Sequence, residues 1–308
     1  MNTRFEVAIV GGGPAGLSAS IFLARYLHSV VLIDSGDPRN WETRGINAYL
    51  GLPRVKPADL RLRGREEARR YGVQLVDDCV DRAQMRSDDE FELTTHSGDG
   101  LTARRLLLAI GLKDVWPDIP GLERAYGETA HVCPDCDGYE ARNKKTVVIG
   151  KGRKAVGMAL NLTTWTNEIV VCTNGESPEM DLPEYCNKLD ALNIPVLTQK
   201  VNRIRVHERR VHYLEMEDGM ELDAEKIFFA IGQYPADDLG AQLRCERDAG
   251  GHIVVDRVYH TSVRNVYAAG DIVPGSQLAI AAASDGAIAA LAIHKSLVPE
   301  SRKLTSEV

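Results

Sequence analysis

Two stretches of the chain repeat one pattern. VAIVGGGPAGLSASIFLARYLHSVVLID (residues 7–34) and VVIGKGRKAVGMALNLTTWTNEIVVCT (147–173) each read as apolar strand, glycine turn, small-residue helix and second apolar strand. An offset of 139 lays Gly11 on Gly150, Gly13 on Gly152, Gly16 on Ala155 and Asp34 on Thr173. A strand that feeds a helix through a tight glycine turn opens a doubly wound α/β unit. Each repeat also has a matching close, LLLAIG (106–111) and IFFAIG (227–232). Such continuous apolar runs suit strands buried on both faces.

Before each close lies a charged, alternating, turn-broken patch, FELTTHSGDGLTARR (91–105) and VNRIRVHERRVHYLEMEDGMELDAEK (201–226). Both read as small antiparallel meanders. A third segment, 252–297, reads as strands followed by a small-residue helix. It has no glycine fingerprint, so it must complete another unit's sheet. The expected fold is α/β, with two Rossmann-like, three-layer ββα dinucleotide-binding domains, the second inserted into the first. Residues 1–113 plus 243–308 form the discontinuous outer domain, and 117–240 the insert. DVWPDIPG (114–121) and GQYPADDLG (232–240) carry the proline and glycine expected of crossover linkers and of a hinge.

Composition removes several function classes. The net charge of −7 opposes binding to nucleic acid or anionic membrane, and no basic cluster is interleaved with aromatics. LAIAAASDGAIAALAI (278–293) is interrupted by Asp285 and Gly286, which favours a buried helix over a membrane span. MNTRFEVAIVGGG lacks the pattern of a secretory leader, so the expected location is cytoplasmic. Four of the six cysteines, 79, 172, 186 and 245, stand singly, as packing residues do in a reducing compartment.

In the first fingerprint, Gly11-Gly12-Gly13-Pro14-Ala15-Gly16, Gly11 permits the turn and Gly13 lets the backbone approach a pyrophosphate. Gly16 brings the helix close to the strand, and the helix N-terminus faces the phosphates. Asp34 closes the next strand, where a carboxylate accepts hydrogen bonds from a ribose. In HVCPDCDGYE (131–140), Cys133 and Cys136 have the spacing of a redox pair. A helix starting there would stabilise a thiolate through its N-terminal amides. Asp137 can carry a proton to or from a leaving thiol, with His131 the weaker candidate. A zinc site lacks a second ligand pair, and no metal centre is expected. A structural disulfide and two inert thiols remain as alternatives to redox chemistry.

These parts, together with YAAGD (267–271) and their order, resemble the low-molecular-weight thioredoxin reductases over nearly the full chain. The resemblance implies an FAD-containing homodimer that exchanges electrons with a thioredoxin-like protein or a small dithiol substrate. By position, Gly12, Gly13, Pro14 and Ala15 would cradle the FAD pyrophosphate, and Asp34 and Ser35 would lie by the adenosine ribose. Asn47 would lie near the flavin, Val80 would contact the adenine through its backbone, and Asp271 would hold the ribityl chain. Leu278 and Ala279 would offer amides to the flavin's pyrimidine edge. Cys136 would face the flavin, Cys133 would attack the substrate disulfide, and Asp137 would be the acid–base residue.

The second fingerprint departs from that family. Lys151, Arg153 and Lys154 crowd its turn, and Thr173 stands where NAD would want an acid. The adjoining TNGESPEMDLPEY (173–185) has no arginine for a 2′-phosphate and carries Glu176, Glu179, Asp181 and Glu184. NADPH is therefore a doubtful donor. The resemblance leaves two further readings: electron supply by a reduced protein such as ferredoxin, or operation in reverse as a dithiol oxidase that passes electrons to oxygen. A flavin-bound redox sensor is a third class.

Overall fold

The structure is a computed structural model of the chain and describes residues 3–41, 43–177 and 183–303. Contacts divide it into two compact units. The first holds Met1–Trp41, Pro57–Lys113 and Tyr234–Val308, and the second holds Glu42–Lys56 and Asp114–Gln233.

The first unit opens with β1 (Arg4–Val10), α1 (Pro14–Arg25), β2 (Val30–Ile33), α2 (Pro57–Arg70) and β3 (Gln74–Val76). A meander comes next, β4 (Val80–Ser87), β5 (Glu90–Thr95) and β6 (Gly100–Leu108), and β7 (Leu112–Asp114) leads out. The second unit contains α3 (Leu122–Ala125), β8 (Ala130–His131), α4 (Pro134–Asp137), β9 (Thr146–Gly150), α5 (Gly152–Leu162) and β10 (Ile169–Cys172). It continues with α6 (Pro183–Ala191), β11 (Val196–Leu197), β12 (Val201–His207), β13 (Arg210–Met216), β14 (Glu221–Asp223) and β15 (Lys226–Ala230). β16 (Gln233–Pro235) leads back to α7 (Leu239–Gln242), β17 (Val266–Ala268) and α8 (Ala279–Leu297).

In the first unit β3, β2, β1 and β6 run parallel in that order. The long strand β6 then serves two partners. Its first half pairs antiparallel with β5, and Leu106–Leu108 pairs parallel with β17. Alternation along β1 sends Val7 and Ile9 toward α1 and α8, and Ala8 and Val10 toward the meander side. Both faces are therefore buried, as its unbroken apolar sequence demands.

The second unit repeats the plan with five parallel strands, β11-β10-β9-β15-β8. One face buries Val148 and Phe228 with α5, and the other buries Val147 and Ile149 beneath the antiparallel β12-β13-β14 sheet. Both units are thus three-layer dinucleotide-binding folds, as the sequence repeat implied.

Three particulars differ from the sequence reading. Segment 42–56 belongs to the second unit, and 234–240 to the first. The former is held there mainly by contacts distant in sequence: Arg44 pairs with Glu128 at 2.7 Å and Asn47 bonds the cysteine turn, while Ile46 bridges Val55 within the segment. Between 247 and 261 the chain makes isolated bridges rather than strands, and only β17 joins the sheet. The C-terminal helix is buried on one side only: Ala282, Gly286, Ala289, Ala290 and Ile293 are covered, while Ile280, Ile288 and Leu291 remain nearly 40% exposed (39%, 39% and 38%). Among the described residues no helix is long and apolar enough to cross a membrane.

Close backbone approach holds the helix layer of the first unit to its sheet. A methyl group on Gly16 would overlap the Gly11 carbonyl, and one on Gly286 of α8 would overlap the Ala15 carbonyl of α1. Gly157 of α5, in contrast, is exposed and faces open space. Gly286→Ala should lower unfolding stability by about 1–3 kcal/mol through overpacking. Gly157→Ala should raise it by roughly 0.5–1 kcal/mol through helix propensity. Denaturant titration of the two variants checks both signs.

Candidate functional site

In the first unit, Gly13 caps α1 and Pro14 takes the first helical position, where its missing N–H costs nothing. No atom lies within 4 Å of a Cβ built on Gly13, which leaves its backbone open to a phosphate. Asp34 is 7% exposed at the end of β2. It accepts hydrogen bonds from the Gly12 amide at 3.1 Å and the Gly36 amide at 3.3 Å. Two arginines of α2 also reach it, Arg61 at 2.5 Å and Arg65 at 3.1 Å. Four donors therefore fix this carboxylate beside the glycine turn.

The remaining expected cofactor residues of this unit take separate places. The Ser35 hydroxyl accepts from the Asp37 amide at 3.4 Å. Val80 is buried at the start of β4. Asp271 pairs with Arg39 at 3.1 Å, and Arg39 also donates to Gln277 at 2.7 Å. Leu278 caps α8, its amide donates to the Ser276 carbonyl at 2.9 Å, and Ala279 is the first helical residue. Sequence reading passed over Arg39, Arg61 and Arg65. The signal for the last two was their four-residue spacing, which sets them on one face of a helix.

The second fingerprint does not copy the first. α5 begins at Gly152, which has a φ of 57°, whereas its counterpart Gly13 has a φ of −75°. Thr173 is buried, and its hydroxyl donates to the Glu176 carbonyl at 2.6 Å. The Glu176 carboxylate in turn meets Lys151 of the glycine turn at 2.7 Å. The side chain at the ribose position and a cation of the phosphate turn are thus joined through one acidic residue of the chain itself. Glu184 pairs with Lys188 at 2.6 Å. Glu179 and Asp181 lie outside the described residues.

Also in the second unit, Cys133 and Cys136 form a disulfide with Cα atoms 5.3 Å apart. The helix expected there is only the four-residue α4, too short for a macrodipole. One amide, that of Cys136, points to Cys133 Sγ at 3.2 Å. Asn47 donates to the Cys136 carbonyl at 3.0 Å and approaches Asp137 Oδ1 at 3.4 Å. His131 Nδ1 lies 3.4 Å from Asp137 Oδ2. The four residues named for thiol chemistry therefore come together, with Asn47 beside them.

The other cysteines divide evenly. Cys172 and Cys245 are buried, and burial pushes both thiols above their ordinary range. Cys79 and Cys186 are exposed rather than packed. Among the described residues no group of histidines, cysteines or carboxylates is arranged to hold a metal.

Comparison with known proteins agrees with this geometry. Residues 5–286 match the model of the pyridine nucleotide-disulphide oxidoreductases. Thioredoxin reductase tcpT of Claviceps purpurea is 31% identical, with 86% of each chain covered. The thioredoxin reductase of Rickettsia conorii is 27% identical over 96% of this chain and 99% of its own. Among solved structures, HlmI superposes with a TM-score of 0.90 at 33% identity, covering 96% of this chain and 92% of that one. An oxidoreductase from Agrobacterium tumefaciens gives 0.85 at 30% identity, over 96% and 98%. A chain with two such units, one glycine cradle and one paired-cysteine turn belongs to the pyridine nucleotide-disulphide oxidoreductase family, as a thioredoxin-reductase-like flavoprotein oxidoreductase.

Proposed function

We propose that this enzyme exchanges electron pairs between FAD and a dithiol or disulfide substrate through Cys133 and Cys136, without NADPH as its normal partner. The observation that carries this reading is the contrast between the two fingerprints. The first keeps an open phosphate turn and a fixed carboxylate, whereas the second is bridged by Lys151, Glu176 and Thr173. Family membership implies flavin, and the first cradle fits it. The space at Gly13 would take the pyrophosphate, Asp34 and Ser35 the ribose, and Asp271 the ribityl chain. FAD would supply the electron pair that opens, or accept the pair that closes, the cysteine disulfide.

The protein's own steps are thiol–disulfide exchange. In the reducing direction Cys133 thiolate attacks the substrate disulfide, forming a mixed disulfide and releasing one substrate thiolate. Cys136 thiolate then attacks Cys133 Sγ, re-forming the Cys133–Cys136 bond and releasing the second. Two protons are consumed as both substrate thiolates become thiols. We assign their delivery to Asp137, a reading that its position directly after Cys136 and 3.4 Å from His131 supports. The favoured substrate is a thioredoxin-like protein, with a reduced protein such as ferredoxin as donor.

The same bonds made and broken in reverse oxidise a small dithiol, with oxygen as final acceptor. The bridged second fingerprint favours this second reading too, since an oxidase needs no hydride donor.

The half-exposed residues Ile280, Ile288 and Leu291 of α8, Phe22 of α1 and Tyr26 just after it support the homodimer that the family implies. The absence of a long apolar helix among the described residues is compatible with the expected cytoplasmic location.

Under anaerobic conditions the flavin absorbance should persist on addition of NADPH and bleach on addition of a small dithiol. Bleaching by NADPH at catalytic rates would overturn the donor assignment. Cys133→Ser and Cys136→Ser should each slow dithiol-driven bleaching by at least about 1,000-fold, and Asp137→Asn by roughly 100- to 10,000-fold. Ile288→Asp should shift the sedimentation coefficient from dimer to monomer.

A further inference from the structure

Behind the cysteine turn, wholly within the second unit, lies a cavity of about 370 Å³. Lys226, the first residue of β15, lines it yet is only 5% exposed. A buried lysine is rare and must be satisfied. Its Nζ donates to the Glu128 carbonyl at 2.8 Å and stands 3.2 Å from Nε2 of His131. His131 is also 5% exposed and is covered by the Phe228 ring, 5.4 Å away. Register sets this meeting: β15 lies beside β8, with Phe228 opposite His131. The opposite ring nitrogen of His131 faces Asp137, the residue after Cys136. Lys226, His131 and Asp137 thus form one line running from the cavity to the cysteine turn.

The donor inventory decides what this line does. A lysine ammonium has three donors and no acceptor. Its contact with Nε2 requires that nitrogen to accept. A neutral imidazole must then carry its proton on Nδ1, which points at Asp137. We propose that Lys226 is a positioning residue for the thiol chemistry, locking His131 in the Nδ1–H tautomer so that it donates to Asp137. The functional part of this inference rests on the thiol–disulfide reading above. The tautomer part does not.

The charges around Lys226 bear on when the lock holds. Burial, with Lys144 nearby, pushes the ammonium below the ordinary lysine range, against the opposing pull of Asp137, Glu140 and Glu128. Glu225, which approaches Lys144 at 4.0 Å, and Arg210 also line the cavity. The cation, which makes the lock, is present below its lowered pKa and is lost as pH rises through it. A neutral amine can accept as well as donate, so it no longer dictates the tautomer.

Two-bond 1H–15N spectra of histidine-labelled protein test the lock without any turnover, with Lys226→Met, Lys226→Arg and Lys226→Gln as variants and His131→Gln to assign the signals. The wild type should show a protonated Nδ1 and an acceptor-type Nε2. Lys226→Met should lose that preference, and Lys226→Arg, which stays charged at all working pH, should keep it. Dithiol-driven bleaching should fall about 10- to 100-fold in Lys226→Met. The Lys226→Arg rate, divided by the wild-type rate, should rise toward alkaline pH. A wild-type proton on Nε2 overturns the proposal, as does a Lys226→Met variant with unchanged tautomer. If Lys226→Met does not fold, the same outcomes are read from Lys226→Gln. If the tautomer responds but the rates and their pH dependence do not, Lys226 orients His131 without serving the thiols, and the positioning role falls. Absence of bleaching in the wild type would sink the thiol–disulfide reading, and the spectra would still decide the lock.

Discussion

Contact without side chains at the end of β1 is the constraint on which the first unit depends. Gly11 and Gly16 bring the start of α1 against the strand, and Gly286 brings α8 against Ala15. Dispersion and burial then act across backbones that touch, with no intervening side chain. The same tightness leaves the backbone of Gly13 uncovered and sets Gly12 against Asp34. Packing and the shape of the glycine turn share these few residues. A larger side chain at Gly16 or Gly286 would therefore disturb both at once.

The second unit keeps the scaffold but not the polar contacts of the first turn. Its parallel strands, its meander and its small-residue helix need only apolar burial on two faces, and they persist. Ala155 stands where the first turn has Gly16, and its methyl group is fully buried. The polar residues have turned toward one another instead, with Thr173 holding Glu176 and Glu176 holding Lys151. The fold of the loop and its polar contacts depend on different atoms, so one can change while the other persists.

Much of this was legible in the sequence because the pattern is local. Strand, turn and helix within thirty residues state their own geometry, and the two AIG closes mark the partner strands. The cysteine turn was equally legible, since Cys133, Cys136 and Asp137 are neighbours along the chain. What escaped was non-local. Segment 42–56 joins the second unit through Asn47 and Arg44, whose partners lie more than eighty residues away. Residues 252–261 have strand-like composition but find only isolated bridges. Lys226 looked like the polar margin of a meander. Only the register of β15 against β8 reveals that it meets His131.

The four cysteines outside the paired-cysteine turn have a practical consequence. Cys172 and Cys245 are sealed by burial and would be silent toward a mild alkylating reagent, whereas Cys79 and Cys186 lie open. With those two exposed thiols kept reduced, a thiol count on the native protein therefore carries a background of two. Only the increment above that background reports whether the Cys133–Cys136 bond is open. With Cys79 and Cys186 replaced by serine, the protein becomes a direct chemical gauge of its own oxidation state.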